Sequence, residues 1–254
     1  MNTEQTERRI KLIKYLLDER DEKSEIPCDE YSQKRLLRAL LNVRPPMPVS
    51  DEFLALQDEY LAAEREEKGV TRVDDLIFNS GIALYKGDIT TVNSDAIVNA
   101  ANSAMLGCFC PNHGCIDNAI HTFAGVQVRL DCNDIMRGRK AENGEVIVTG
   151  AYNLPSRFIF HTVGPVVSGN VTEENKADLR KCYFNCLEKA AVMNLESIAF
   201  CCISTGVFGY QQEMAAALAV DTVKGYLRRS GSKIKVIFDL FTEKDYDIYR
   251  RILG

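Results

Sequence analysis

The chain lacks the features that define several classes of protein. It has 254 residues, no tryptophan and only three histidines, and no apolar run approaches the ~20 residues that a membrane span requires. Its polar N-terminal residues are not followed by the apolar segment of a signal peptide. Nine scattered cysteines, an odd number, do not suggest a disulfide framework. We therefore expect a cytoplasmic protein that does not enter a membrane.

An excess of basic residues is also lacking. The net charge is −5, and all of it falls on residues 1–80, which contain 13 Lys or Arg and 18 Asp or Glu. Residues 81–254 contain 18 of each sign. The basic stripe of a protein that binds long nucleic acid is therefore not present. A small anion held by backbone amides remains compatible with this balance.

Glycine is scarce in the first third of the chain, where Gly69 is the only one before residue 81. Apolar residues recur there at helical spacing, and Ser50 is a plausible N-cap for a helix that ends near Glu67. We predict a helical region over residues 1–80 that packs on a main domain over residues 81–254. We interpret this region as structural cover; the alternative is a module that binds a partner.

From residue 81 onward, short β-rich runs alternate with helical patterns. The predicted strands cover residues 82–86, 96–99, 145–150, 158–163, 197–203 and 233–240. The predicted helices lie near residues 116–137, 174–193, 211–229 and 243–252. Several strands are apolar throughout, which is typical of strands buried on both faces. The pattern predicts a three-layer α/β fold with a mixed, mostly parallel sheet.

The loop over residues 107–115 concentrates three cysteines and one histidine among Gly, Pro and Asn. Thiolates and an imidazole are suitable ligands for zinc, and three protein ligands leave a coordination position open for catalysis. His113 and Cys115 can supply two of them, whereas Cys108 and Cys110 compete for the third. The alternative is that these cysteines are small apolar side chains.

Four further stretches follow predicted strands, where α/β folds bind ligands: residues 87–90, 99–102, 204–210 and 241–243. The third contains Gly206 and Gly209 and suits a phosphate, or else it is a tight turn. Asp88 can accept a hydrogen bond from a base amine, or it is a turn residue. Asp117, after the cysteine loop, is either a helix N-cap or a carboxylate that orients a water or a sugar hydroxyl.

Taken together, these stretches resemble the macrodomain family. The runs Gly-Asp-Ile-Thr from Gly87, Ile-Val-Asn-Ala-Ala-Asn ending at Asn102, and Ser-Thr-Gly-Val-Phe-Gly from Ser204 follow the family's order and spacing. The resemblance covers roughly residues 81–254 and implies an ADP-ribose site. Asp88 would contact adenine and Asn102 the distal ribose, while residues 204–209 would hold the diphosphate. The implied ligand-binding residues are Asp88, Ile89, Asn102, Ser204, Thr205, Gly206, Val207, Phe208, Gly209 and Phe241.

The cysteine loop narrows the resemblance further. It replaces the glycine-rich run of ordinary hydrolytic macrodomains and is similar to the zinc-dependent subgroup found beside sirtuin-type ADP-ribosyltransferases, whose members also have a helical N-terminal extension. That resemblance implies one zinc per chain on Cys108, His113 and Cys115, and leaves Cys110 free. It also places Asp117 where hydrolytic macrodomains have a carboxylate, so Asp117 and Asn102 are the candidate catalytic residues.

The resemblance implies a zinc-dependent hydrolase that releases mono-ADP-ribose from modified protein side chains, with Asp and Glu linkages favoured. Its partners would be an ADP-ribosylated protein as substrate and ADP-ribose as product. One alternative is a reader module that binds ADP-ribosylated proteins without turnover. Another is a hydrolase of a free metabolite such as an acetylated ADP-ribose. An open metal position favours an enzyme over a reader.

Overall fold

Three helices open the chain in a computed structural model that describes residues 3–254. They are α1 (Thr3–Asp18), α2 (Glu30–Val43) and α3 (Asp51–Lys68). The side chain of Ser50 accepts a hydrogen bond from the Phe53 amide, which confirms the predicted N-cap of α3. The leucine-rich faces of the three helices pack into a core of their own, which Val126 from the main domain helps to close.

Eight strands are present in the described chain. They are β1 (Thr71–Arg72), β2 (Ile82–Tyr85), β3 (Val92–Asn93), β4 (Ala96–Ala101), β5 (Val146–Gly150), β6 (Phe158–Val163), β7 (Ser197–Phe200) and β8 (Lys235–Asp239). Six of them form one sheet in the order β2-β8-β7-β4-β6-β5, and β1 and β3 pair separately. Within the six-stranded sheet only β5 and β6 are antiparallel. The predicted mixed, mostly parallel sheet is confirmed.

Five helices cover this sheet: α4 (Ile116–Ala124), α5 (Val126–Met136), α6 (Glu173–Val192), α7 (Gln212–Ser230) and α8 (Glu243–Leu253). The first two pack on each other and on β4 and β5, whereas α6, α7 and α8 form a continuous layer. All residues of β7 are buried, as its apolar sequence predicts. The α/β fold expected from the sequence is therefore present, and helix α2 packs against α4 beside it.

Two predicted elements differ from the structure by more than two residues. The single helix predicted over residues 116–137 is two helices, because the chain turns at Gly125 with a φ of 102°. A Cβ there would lie 2.6 Å from Gln57 Nε2, so the position also brings the backbone close to α3. The strand predicted over residues 197–203 ends at Phe200, and the following residues turn towards the loop before α7.

No helix within residues 3–254 combines the length and the apolar character that a membrane crossing requires. The nine cysteines all lie in this range, and all are free thiols.

Candidate active site

Four parallel strands, β2, β8, β7 and β4, place the predicted ligand-binding stretches along one edge of the sheet. Their carboxyl ends meet there: residues 87–90, 204–209 and Phe241 follow β2, β7 and β8, and residues 99–102 form the end of β4 and the position after it. In α/β folds this edge is where ligands bind. The stretches predicted to form one ligand-binding site therefore lie on the same side of the fold.

The three predicted metal ligands converge in the structure. One ligand atom each from Cys108, His113 and Cys115 lies within 4.8 Å of the other two, and Cys108 Sγ is 3.6 Å from His113 Nδ1. All three side chains are half-buried, whereas Cys110 is exposed and does not belong to the cluster. Of the two cysteines that competed for the third position, it is Cys108 that joins the other two. Two thiols and one imidazole are a suitable donor set for zinc.

The chain around these residues adopts conformations that few residue types tolerate. Gly107 has a φ of 84°, and a Cβ there would lie 2.9 Å from the His121 ring. Asn112 has a φ of 54°, in the left-handed region that Asn accepts better than most residues. The Cys115 side chain caps α4 by accepting a hydrogen bond from the Asn118 amide, so the N-cap is Cys115 and not Asp117.

Asp117 is buried in the first turn of α4 with its carboxylate facing the end of β4. It accepts hydrogen bonds from Asn99 Nδ2 at 2.8 Å and from Asn102 Nδ2 at 3.3 Å. Burial raises the pKa of Asp117 to about 6, against hydrogen bonds from both amides and the charge of Arg129, which lower it. The two candidate catalytic residues, Asn102 and Asp117, are therefore in direct contact, and Asp117 can hold or release a proton near neutral pH.

Behind Asp117 lies a buried chain of polar side chains. Asn99 Nδ2 also donates to His161 Nδ1 at 3.0 Å, so the hydrogen of this ring is on Nε2, which lies 3.0 Å from Thr149 Oγ1. Burial lowers the pKa of His161 to about 3, so its ring is neutral.

A second cluster of possible ligand atoms, from His121, Cys132 and His161, lies in the same buried region. Both ring nitrogens of His161 already have hydrogen-bond partners, Asn99 and Thr149. Burial and the positive charge of the nearby Arg129 hold the pKa of His121 well below its usual range, and that charge also opposes a buried cation. We therefore interpret this cluster as part of the core.

The loop over residues 204–209 has the geometry of an anion cradle. Ser204 and Gly209 have positive φ values of 66° and 73°, and the Tyr210 amide donates to the Ser204 carbonyl to close the loop. Within the described chain, the amides of Gly206, Val207 and Phe208 donate to no group. Three successive unpaired amides suit a phosphate. Helix α7 begins only at Gln212, so the amides on offer come from the loop and not from the helix end.

Asp88 lies at the other end of this edge. Its Oδ1 accepts from the Thr90 amide at 3.0 Å and from Thr90 Oγ1 at 2.6 Å, and its Oδ2 is 3.2 Å from Lys68 Nζ. Burial alone would raise the pKa of Asp88, but the hydrogen bonds from Thr90 and the charge of Lys68 outweigh it, and the pKa is lowered. The carboxylate is thus ionised and able to accept a further hydrogen bond.

Of the predicted ligand-binding residues, Ile89 is buried whereas Phe241 is exposed. The Ile89 side chain is buried in the core, so it can offer a ligand only its backbone amide. Phe241, after β8, is 78% exposed, and Val207 in the loop over residues 204–209 is equally exposed. Exposed apolar side chains at one edge of a sheet are suited to packing on a sugar or a base.

Three residues at this edge were not predicted to have a role of their own. Asn99 stands three positions before Asn102, and its place in the stretch 99–102 was the signal in the sequence that could have indicated its role. Lys68 gave no signal, because it lies in α3, 20 positions before the Asp88 that it contacts. Asp239, at the end of β8, is buried with Oδ1 unpaired among the described residues; burial and the negative charge of Asp88 raise its pKa well above the usual range.

Known proteins resemble the chain over nearly its whole length. A Treponema medium protein called protein-ADP-ribose hydrolase is 47% identical over 259 residues, covering 98% of this chain and 99% of the relative. A protein of the same name from Staphylococcus aureus strain MRSA252 is 51% identical over 220 residues, which cover 85% of this chain and 82% of the relative.

A solved structure and a family match support the same relationship. A Trypanosoma brucei macrodomain in complex with ADP-ribose superposes with a TM-score of 0.66 at 31% identity, covering 85% of this chain and 95% of that one. Residues 98–219 match the Macro domain family. On the sequence identity, the shared fold and the family match, the chain belongs to the macrodomain family.

Proposed function

We propose that the chain is a protein-ADP-ribose hydrolase that binds one zinc ion and releases mono-ADP-ribose from modified Asp and Glu side chains. One observation carries the proposal. The three clustered ligand atoms of Cys108, His113 and Cys115 are followed within two residues by Asp117, whose carboxylate contacts Asn102. The names of the relatives from Treponema medium and Staphylococcus aureus support the hydrolase activity.

The substrate would bind along the carboxyl ends of β2, β8, β7 and β4. Asp88 would accept a hydrogen bond from the exocyclic amine of adenine through its ionised carboxylate. The amides of Gly206, Val207 and Phe208 would hold the diphosphate, and Phe241 and Val207 would cover the apolar faces of the ligand. Asn102 would then fix the distal ribose beside Asp117. The ligand would thus extend from its adenine near Lys68 to its distal ribose near the cysteine loop. A Trypanosoma brucei macrodomain of similar fold contains ADP-ribose.

The residues near the distal ribose would carry the chemistry. Zinc held by Cys108, His113 and Cys115 would supply a Lewis acid that polarises a substrate oxygen or a water. Asp117, whose burial raises its pKa to about 6, would accept or return the proton of a water or of a ribose hydroxyl. Asn102 would hold both the hydroxyl and the carboxylate, which limits the motion of the reacting groups.

Two further functions use the same binding edge. A reader of ADP-ribosylated proteins would need the adenine and diphosphate contacts but no buried carboxylate beside a metal cluster, so Asp117 favours the hydrolase. A hydrolase of an acetylated ADP-ribose would need the same groups and differs only in the acceptor. We also propose the cytoplasm as the location, because the nine free cysteines suit a reducing compartment.

The test is release of ADP-ribose from a protein that carries it on Asp or Glu, with and without a strong zinc chelator. The expected result is release by the untreated protein, loss of release with chelator, and recovery when zinc is restored. A parallel reaction with acetylated ADP-ribose compares the metabolite as substrate. Binding of the modified protein without release, with zinc bound, would support the reader and contradict the hydrolase.

A further inference from the structure

We propose that the N-terminal helical region is part of the support of the metal site, and that Arg38 and Asn42 of α2 are positioning residues for it. The loop over residues 106–115, called the metal loop below, contains all three proposed zinc ligands. This inference rests on the zinc site proposed above. It assigns to α2 a role beyond covering the main domain.

Arg38 reaches the metal loop directly and through Asn118. Its Nη2 donates to the His113 carbonyl at 3.1 Å, and its Nε and Nη2 donate to Asn118 Oδ1 at 3.0 and 2.7 Å. Asn118 is fully buried, and its Nδ2 donates to the Cys110 carbonyl at 3.0 Å. One guanidinium group therefore fixes both the His113 end and the middle of the loop.

Asn42 holds the loop at a third point. It lies four residues after Arg38, so the two side chains leave the same face of α2. Asn42 Oδ1 accepts from the Asn112 amide at 2.9 Å, and Asn42 Nδ2 donates to Thr122 Oγ1 in α4 at 3.0 Å. Asn112 has a positive φ, and the side chain that holds its amide is fully buried.

The C-terminal end of α2 is connected to the metal loop through a further residue, Arg129. Arg129 of α5 donates through Nη1 to the carbonyls of Leu41, at 2.9 Å, and Arg44. Its Nε donates to the Leu106 carbonyl at 2.8 Å, where the metal loop begins. If α2 moved, the loop would lose its contacts with Arg38 and Asn42, and Arg129 would lose its contacts with the end of α2.

The consequence is that the positions of Cys108, His113 and Cys115 depend on α2. The loop has no helix or strand of its own, and its anchors bracket or adjoin the three ligands. Groups behind metal ligands typically change metal affinity about 10- to 100-fold when they are removed. A lysine in place of Arg38 would keep the charge but could not make the forked contact with His113 and Asn118.

The experiment measures zinc affinity of the full-length protein by competition with a chromophoric chelator. Arg38→Ala, Arg38→Lys and Asn42→Ala are compared with the wild type, and Arg35→Ala is the matched control, because Arg35 is exposed on the same helix. We expect about 10- to 100-fold weaker zinc binding in Arg38→Ala and Arg38→Lys. Asn42→Ala should also bind zinc more weakly than the wild type, and Arg35→Ala should bind it equally well. Calorimetry with ADP-ribose on the metal-free proteins should give equal affinities, which shows that the fold is intact.

A metal-free measurement separates this inference from the zinc proposal. Amide hydrogen exchange over residues 106–115 should be faster in metal-free Arg38→Ala than in the metal-free wild type, with little change in β7 and β8. A wild type that binds no zinc would overturn the zinc proposal, while faster exchange would still support the role of α2 in ordering the loop. Unchanged zinc affinity in both Arg38 variants, together with unchanged exchange in Arg38→Ala, would overturn the inference.

Discussion

Asn99 donates a hydrogen bond of 2.8 Å to the carboxylate of Asp117 and so joins the central strand β4 to the first turn of α4. The same Asn99 amide group contacts His161, which is neutral and fully buried. The carboxylate is thus fixed from the strand side, and its other oxygen contacts Asn102. A carboxylate held in this way needs little reorganisation to exchange a proton with a bound group.

Replacement of Asp117 tests its role. Asp117→Ala should retain zinc but lose about 10²- to 10⁴-fold in the rate of ADP-ribose release, as expected when an acid–base or positioning group is removed. Single-turnover release and metal content are measured on the same preparation. Asp134→Ala, at an exposed position on α5, is the control and should match the wild type. Full activity in Asp117→Ala would exclude Asp117 from the reaction.

Metal analysis tests the ligand set. The purified protein should contain about one zinc per chain, and Cys108→Ser, His113→Ala and Cys115→Ser should each lose it, because three protein ligands form the proposed site. Cys110→Ser should keep its zinc, since Cys110 is exposed and outside the cluster. Retention of zinc in all three ligand variants would mean that the metal binds elsewhere.

Calorimetry tests the adenine end. Asp88→Ala should weaken ADP-ribose binding by about 1–3 kcal/mol if a buried hydrogen bond to the base is lost. Asp75→Ala removes an exposed carboxylate from the segment before β2 and should leave affinity unchanged. The metal-free protein should still bind ADP-ribose, because Asp88 and the amides of residues 206–208 lie outside the metal loop. Equal affinity of Asp88→Ala and the wild type would mean that the adenine site is elsewhere.

Linkage preference is measured with two modified proteins. A protein carrying ADP-ribose on Asp or Glu should be a better substrate than one carrying it on arginine, because the ester has an acyl oxygen that a Lewis acid can polarise and the N-glycoside does not. Initial rates at matched substrate concentration provide the comparison. Faster release from arginine would contradict the ester preference while leaving the hydrolase assignment intact.

The pH dependence of stability should report on His161. Burial lowers the pKa of His161 to about 3, whereas an unfolded histidine titrates near its ordinary value of 6.5. The unfolded state therefore binds more protons between these two values, so the contribution of neutral His161 to stability is present above pH 6.5 and is lost as the pH falls towards 3. His161→Gln stays uncharged and should lose up to about 1.4 kcal/mol less per pH unit in this window. Denaturant unfolding of both proteins across the window gives the comparison, and parallel curves would contradict it.

Local signals in the sequence predicted much of the structure. Ser50 caps α3 as expected, because a cap depends on residues three or four positions away. The break at Gly125 was missed, since the close approach of Gln57 that requires glycine there comes from a helix 68 residues earlier. Lys68 and Arg38 were missed for the same reason: they contact Asp88 and Asn118, which lie 20 and 80 positions away. Spacing within one stretch carries no information about such pairs.

The side-chain hydrogen bonds that Arg38, Asn42, Asn118 and Arg129 make with the metal loop all go to main-chain groups: the carbonyls of Leu106, Cys110 and His113, and the amide of Asn112. Side chains that take no part in these contacts, such as that of Pro111, are therefore free to change during evolution. A Cβ at Gly114 would meet no atom within 4 Å, so that position too has room for a larger residue. A single residue inserted or deleted within the loop would instead shift the anchors that follow it out of register with α2. We expect descendants of this sequence to vary at positions such as Pro111 and Gly114 while keeping the length of the loop.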